Sequence, residues 1–143
     1  MMINQILALN FICTVFMTGV IWMVQLVHYP SFLYVEVSNF KKFHVFHSNR
    51  ISWIVAPVML LELLTSYFLV YYNSQNFLNW VGFFLIILIF LLTAFVSVPR
   101  HNKLSLAHDE TVIKQLISTN WFRTALWTVR FVLLSYMIYF SSN

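Results

Sequence analysis

Charged side chains are scarce in this chain of 143 residues, since Asp, Glu, Lys and Arg together make up only 8% of it. A soluble domain carries about a quarter charged residues, so this chain cannot cover its surface with polar groups. Hydrophobic residues make up 61% instead. The composition therefore excludes an ordinary water-soluble domain and predicts that lipid is the main solvent of the protein.

Cysteine is almost absent as well. Cys13 is the only one and lies in an apolar run, which excludes a disulfide framework within one chain and favours a packing role. The net charge is +4, but the few basic residues lie where a membrane protein needs them, so no nucleic-acid partner is indicated. The length suits a single domain, 1–143.

Long apolar runs are what the chain has instead. Four of them cover approximately residues 6–27, 51–72, 77–98 and 121–140. Each is close to the roughly 20 residues that a helix needs to cross about 30 Å of hydrocarbon. The runs are continuous rather than alternating, and lipid requires every backbone group to be paired internally. The sequence predicts an all-α bundle of four transmembrane helices.

The basic residues predict the orientation of this bundle. No basic residue lies in the turn YNSQN or at either terminus. The positive-inside tendency therefore predicts two longer cytoplasmic loops and both termini outside. The first run has no preceding basic residue and no clear cleavage site, so it is interpreted as a retained helix that suits a bacterial inner membrane. Basic residues fall between runs 1 and 2 and between runs 3 and 4, or at the edge of run 4: Lys41, Lys42, Arg50, Arg100, Lys103, Lys114 and Arg123.

The two loops carry helical signals of their own. FKKFHVFHSNR has a phenylalanine at every third position, so it either lies as a helix in the membrane interface or extends helix 2. In the second loop, Asp109 is predicted to cap a short helix that holds Val112, Ile113 and Leu116. Pro30 and Pro99 are interpreted as the exits of helices 1 and 3.

All five histidines map to the cytoplasmic half. His44 and His47 are three residues apart, which puts both on one helical face, a usual arrangement for two ligands of one metal. His28 ends helix 1 and His101 follows helix 3, so both could reach the same level. Neutral imidazoles suit iron, copper or zinc, and two opposed imidazoles suit a haem iron. The alternative is that histidines, being amphipathic, simply line the interface.

Two charged residues are predicted inside the membrane. Glu62 lies near the centre of helix 2, where a carboxylate is costly and usually faces the bundle interior. Arg130 of helix 4 lies on one face with Arg123 and Trp127. We predict an ion pair or a shared polar network between Glu62 and Arg130. As a structural element, this pair would lock helices 2 and 4 together. The alternative is that Glu62 is protonated and Arg130 extends to the membrane interface, so that no ion pair forms.

Other polar and aromatic residues are expected in the same inner region. Trp22, Gln25 and His28 follow one path down helix 1, and Asn120 lies with Arg123 at the start of helix 4. Trp22 and Trp127 lie deeper than tryptophans that anchor helix ends, so they could wall a pocket for a flat ring.

Several stretches carry a resemblance to a known family: IWMVQLVHYPSF, FKKFHVFHSNRISWIVAPVMLLEL, SVPRHNKL and NWFRTALWTVRFVLL. Together they resemble the small four-helix membrane proteins grouped with the anthrone oxygenases, over most of the chain. Some of those proteins resemble oxygenases of polycyclic aromatic substrates. The matching positions are Gln25, Tyr29 and Pro30; Pro57, Met59 and Glu62, with a spacing that differs by one residue; and Asn120, Trp121, Arg123, Thr124, Trp127, Thr128 and Arg130.

A second likeness is to the haem-binding, four-helix protoporphyrinogen oxidases of bacteria. The helix count, a proline at the end of helix 1 and a Pro-x-Met in helix 2 are similar. However, this chain has HYPSF where those proteins carry a leucine-proline-arginine element.

The sequence thus predicts a membrane-embedded, oxidoreductase-like or oxygenase-like protein that acts on an apolar aromatic or quinone-like molecule. His28, His44, His47 and His101 would hold haem, iron or copper, while Glu62, Arg130 and Arg123 would carry the catalytic charges. The substrate would lie against Trp22, Gln25, Tyr29, Asn120 and Trp127. The alternatives are a small proton-coupled transporter, possible as a homo-oligomer, and a non-catalytic membrane component with a structural Glu62–Arg130 pair.

Overall fold

The computed structural model describes residues 2–141, and within that range the chain is entirely helical, without strands. Four long helices follow one another: α1 (Met2–Tyr34), α2 (Val37–Tyr72), α3 (Phe77–Leu104) and α4 (Glu110–Ser141). Connections of two to five residues join them, as is usual for antiparallel neighbours in a bundle. Around the bundle, α1 packs on α2 and α4, and α3 packs on the same two helices.

Three helices, α1 to α3, are long and apolar enough to cross a membrane. Many large apolar side chains on the outside of the bundle are exposed, among them Phe84, Phe95 and Val132. A continuous apolar surface of this kind is expected where lipid is the solvent. The protein is therefore an integral membrane protein by the length, composition and surface of its helices.

The two prolines predicted to end helices 1 and 3 do not end them. Each follows a π-helical turn, Val24–His28 before Pro30 and Thr93–Ser97 before Pro99. At these turns the N–H of Tyr29 donates to the carbonyl of Val24, and that of Val98 donates to Thr93. Proline lacks an N–H and clashes with the preceding turn. A π-turn widens the helix at that point, so the chain continues past the proline.

The phenylalanine-rich segment extends helix 2, which was one of the two alternatives for it. α2 has 36 residues, so it is about 54 Å long and exceeds the roughly 30 Å hydrocarbon core. Phe40 and His44 are buried on its inner face, whereas Phe46 is exposed. The extension therefore brings a histidine-bearing face over the end of the bundle.

The prediction of a short separate helix after Asp109 is wrong, whereas the prediction that Asp109 caps a helix is confirmed. The Asp109 carboxylate accepts a hydrogen bond from the N–H of Val112 at 3.1 Å, but the helix that begins there runs on without a break to Ser141. Val112, Ile113 and Leu116 are buried against the ends of the other helices, together with Phe32, Phe40 and Leu104. This packing stabilises the first turns of α4 as part of one long helix.

Candidate functional site

A cavity of about 440 Å³ lies between the four helices, towards the end that carries the histidines. This size is within the range of small-molecule sites. Its apolar wall includes Ile21 of α1, Val55 of α2 and Val98 of α3. None of its lining residues is acidic. Its polar lining consists of Tyr29, Ser48, Asn49, Ser52, Thr93, Ser97, His101, Asn102, Ser105 and Arg123.

The polar end of the cavity contains a hydrogen-bonded chain of side chains from three helices. His101 Nε2 lies 3.0 Å from the Tyr29 hydroxyl, and His101 Nδ1 lies 3.1 Å from His44 Nε2. The other ring nitrogen of His44 lies 3.2 Å from the Ser105 hydroxyl. Each imidazole can donate at one nitrogen and accept at the other. The hydrogen-bonded chain, in the order Tyr29–His101–His44–Ser105, can therefore pass a proton along its length.

A second pair of histidines lies beside this chain. His28 Nε2 and His47 Nδ1 are 2.7 Å apart. The Phe32 ring contacts members of both groups, namely His28, His44 and His47, in edge-to-face arrangements with centroid distances of 5.5–5.6 Å. Among residues 2–141, none of the four histidines forms an ion pair with a carboxylate. The four rings thus form two separate pairs.

The four-histidine metal site predicted from the sequence does not fit this arrangement. A metal between two opposed imidazoles needs its two nitrogens about 4 Å apart, twice a metal–nitrogen bond of roughly 2.0 Å. The facing nitrogens lie at 2.7 and 3.1 Å and bond to each other instead. Within the described part of the chain, no three His, Cys, Asp or Glu side chains are grouped so that they could hold a metal ion. As they are placed here, these imidazoles therefore do not fit a haem, iron or copper site.

Arg123 lines the cavity and is only 6% exposed. Its Nη1 donates to the Ser97 hydroxyl at 3.2 Å and to the Asn120 carboxamide oxygen at 3.1 Å. The guanidinium also lies 5.3 Å from the Trp127 ring centroid, a cation–π distance. Its Nε is buried without a hydrogen-bond partner. Gln25 lies behind it, accepting from Asn120 at 2.9 Å.

The predicted ion pair of Glu62 and Arg130 is confirmed. Glu62 Oε1 and Arg130 Nη2 are 3.6 Å apart, and both side chains are fully buried. Glu62 also accepts from Thr14 at 2.5 Å and from the Trp127 indole at 3.1 Å. The two residues do not line the cavity.

Arg130 has further partners on three other helices. Its Nη2 donates to Asn10 of α1 at 3.1 Å and to Ser66 of α2 at 3.2 Å, and its Nη1 donates to the carbonyl of Gly82 in α3. One guanidinium thus contacts every other helix of the bundle. Because the pair is enclosed and crosslinks all four helices, the geometry favours the structural interpretation of Glu62 and Arg130.

The predicted substrate residues divide into three groups. Tyr29 lines the cavity. Gln25 and Asn120 are buried behind Arg123 and position it. Trp22 and Trp127 do not line the cavity: Trp22 is 38% exposed and donates to Thr128 at 3.1 Å, and Trp127 is fully buried between Arg123 and Glu62. Their large rings therefore serve packing and hydrogen bonding at these positions.

Several residues of both networks were not predicted. Asn10 and Thr14 are four residues apart in the first apolar run, so they lie on one face of α1, and this spacing is the signal that could have found them. Asn10 Nδ2 donates to Thr65 at 2.6 Å and to Ser66 at 3.0 Å. Ser105 carried no comparable signal, because its contact with His44 depends on how α2 and α3 pack.

Comparison of the chain with protein-family models, with curated proteins and with solved structures finds no match. The resemblance to the anthrone oxygenase group and the second likeness to protoporphyrinogen oxidases therefore stay predictions from the sequence.

Proposed function

We propose that this protein is a membrane-embedded, oxidoreductase-like or oxygenase-like protein that takes an apolar aromatic or quinone-like molecule from the bilayer. The observation that carries the proposal is the cavity, whose apolar wall meets a polar end at the hydrogen-bonded chain of Tyr29, His101 and His44. Pockets that combine apolar walls with a few convergent polar groups are typical of small-molecule sites. The resemblance to the anthrone oxygenase group supports the same substrate class.

The chemistry that this chain's own residues supply in the proposal is proton exchange with an oxygen of the bound ring. Tyr29, His101 and Ser105 line the cavity, and His44 connects His101 to Ser105. A hydroxyl proton of the ring passes to the Tyr29 hydroxyl, which gives its own proton to His101 Nε2, and His101 Nδ1 gives a proton to His44. Oxidation of a hydroquinone by dioxygen is the corresponding overall reaction: the hydroquinone loses two electrons and two protons, dioxygen gains them, and quinone and hydrogen peroxide form.

The proposal includes all four helices as spans, with both termini outside and the histidine end at the cytoplasmic face of a bacterial inner membrane. The distribution of basic residues supports this orientation. α4 carries Arg123 and Arg130 in its apolar part, and both are buried against the other helices rather than facing lipid. Arginines shielded in this way are compatible with a spanning helix.

The first test is binding of an apolar naphthoquinone to the protein in mild detergent, measured by quenching of tryptophan fluorescence. Ala56→Phe fills the cavity wall and should weaken binding at least tenfold. Ala94→Phe is the matched control, because Ala94 is exposed on α3 and does not line the cavity. If both variants and the wild type bind the naphthoquinone equally well, the cavity is ruled out as the binding site.

The second test is oxidation of the corresponding naphthoquinol by dioxygen, followed through quinone absorbance and peroxide. His101→Gln should lower the rate with little change in quinone binding, because it interrupts the proton chain. Visible absorption and elemental analysis of the purified protein belong to the same experiment. A Soret band, or stoichiometric iron or copper that His44→Ala removes, would overturn the assignment of these histidines to proton exchange. If the wild type oxidises the naphthoquinol no faster than Ala56→Phe does, the enzymatic proposal is refuted.

A further inference from the structure

We infer that the ligand of the cavity carries an anionic oxygen and binds with that oxygen at Arg123. The inference rests on the proposed function only in taking the cavity as the ligand site, and it adds the charge of the ligand. The shared chemistry is an apolar molecule that ends in one negative oxygen, either a carboxylate or the deprotonated hydroxyl of an acidic ring.

The first observation is a buried positive charge without a carboxylate beside it. Arg123 is only 6% exposed, and a guanidinium stays charged in a protein. Burying an unpaired charge is costly, so such groups are ordinarily paired. The hydroxyl, carboxamide and indole that contact Arg123 are neutral groups and leave its charge unbalanced.

The second observation is that the chain's acidic residues are all engaged elsewhere. The chain has four. Glu62 pairs with Arg130, and Glu110 pairs with Lys114. Asp109 caps α4, and Glu36 accepts from Asn39 at 3.1 Å. No residue in the described range therefore supplies the missing negative charge.

The third observation is that Arg123 lies on the cavity and retains an unused donor. Its Nε has no hydrogen-bond partner among the described residues. Two hydroxyls of the same cavity can donate to an oxygen: that of Ser97, which accepts from Arg123, and that of Ser48, which has no hydrogen-bond partner among the described residues. Because no lining residue is acidic, nothing in the cavity repels an anion. A site with a cation, two such hydroxyls and apolar walls fits an amphipathic anion.

The test compares two ligands of one shape, anthracene carboxylate and its neutral methyl ester, by their fluorescence on binding to the detergent-solubilised protein. A hydrogen-bonded ion pair predicts that the carboxylate binds the wild type about 10- to 100-fold more tightly than the ester. Arg123→Gln should remove this preference, and Arg123→Lys should retain part of it because the charge stays. The compound 2-hydroxy-1,4-naphthoquinone, whose hydroxyl is a vinylogous acid and is ionised at neutral pH, distinguishes a ring hydroxyl from a carboxylate as the source of the negative oxygen.

The outcomes separate this inference from the proposed function. Equal binding of acid and ester to the wild type overturns the anion inference and leaves the cavity as a site for apolar rings. Binding of none of the three ligands overturns both. The comparison within the wild type requires no variant, so the inference stays testable even if Arg123→Gln does not fold.

Discussion

Glu62→Gln should destabilise this protein far more than the same substitution on its surface. The glutamine keeps the shape of the side chain but removes the negative charge, which leaves Arg130 buried without its counterion. At the 3.6 Å that separates Glu62 Oε1 from Arg130 Nη2, two unit charges attract by roughly 5 kcal/mol at an effective dielectric constant of about 20. Removal of one partner of a buried ion pair typically costs about 3–5 kcal/mol. We expect a loss of this size in the free energy of unfolding.

The matched control is Glu110→Gln. Glu110 and Lys114 form an ion pair with a shorter separation of 3.1 Å, but both side chains are 64% exposed. Water screens such a pair, so its loss should cost only about 0.3–0.5 kcal/mol. The closer pair is thus expected to matter less, because burial rather than distance decides the magnitude.

The assay is unfolding of the purified protein in mixed micelles, in which a denaturing detergent is titrated against a mild one and helix content is followed by circular dichroism. Glu62→Gln, Arg130→Gln and the double variant complete a mutant cycle. The cost of the double variant should fall short of the sum of the single costs by about 1–3 kcal/mol. If Glu62→Gln costs no more than Glu110→Gln, or if the two single costs simply add, the structural role of the pair is refuted.

Three further predictions concern the rest of the bundle. Trp127→Phe should cost about 1.5–3 kcal/mol in the same assay, because it removes the indole N–H that donates to the Glu62 carboxylate at 3.1 Å. A cost below about 0.5 kcal/mol would contradict this contact. Asp109→Ala should cost about 1 kcal/mol through loss of the cap of α4, whereas Asp109→Asn should be almost neutral. In a Cys13→Ala background, a single cysteine that replaces Gln75 or Phe140 should react with a membrane-impermeant maleimide added outside intact cells. A single cysteine that replaces Leu106 should react only after lysis. Labelling of positions 106 and 140 from the same side of the membrane would contradict α4 as a membrane-spanning helix.

The sequence was sufficient to predict the helices but less informative about where they end. Lipid removes water as a hydrogen-bond partner, so long apolar runs must be helical whatever their neighbours are. The helix ends depend on packing instead. Pro30 predicts the exit of helix 1, but a π-turn at Val24–His28 carries the helix past it. The segment after Asp109 joined α4 because its apolar face packs on Phe32 and Phe40.

The candidate site divides in the same way. The cost of a charge in the membrane identified Glu62 and Arg130 as partners from the sequence alone, since each needs the other in a medium without water. The histidines were correctly placed at one end, but their chemistry was not determined by their spacing. His44 bonds to His101, and His47 bonds to His28, so nitrogens that the sequence offered as metal ligands are used in hydrogen bonds.

By itself, then, the amino-acid sequence determined that the chain is helical, lies in lipid and pairs Glu62 with Arg130, because these properties follow from the solvent and from each residue's own free energy of transfer. Only the tertiary structure decided which imidazoles face each other, that Trp22 and Trp127 lie off the cavity, and that Arg123 lines it without a carboxylate. Those features depend on how four helices are rotated and shifted against one another by a few ångströms, and a sequence period of 3.6 residues does not specify such rotations.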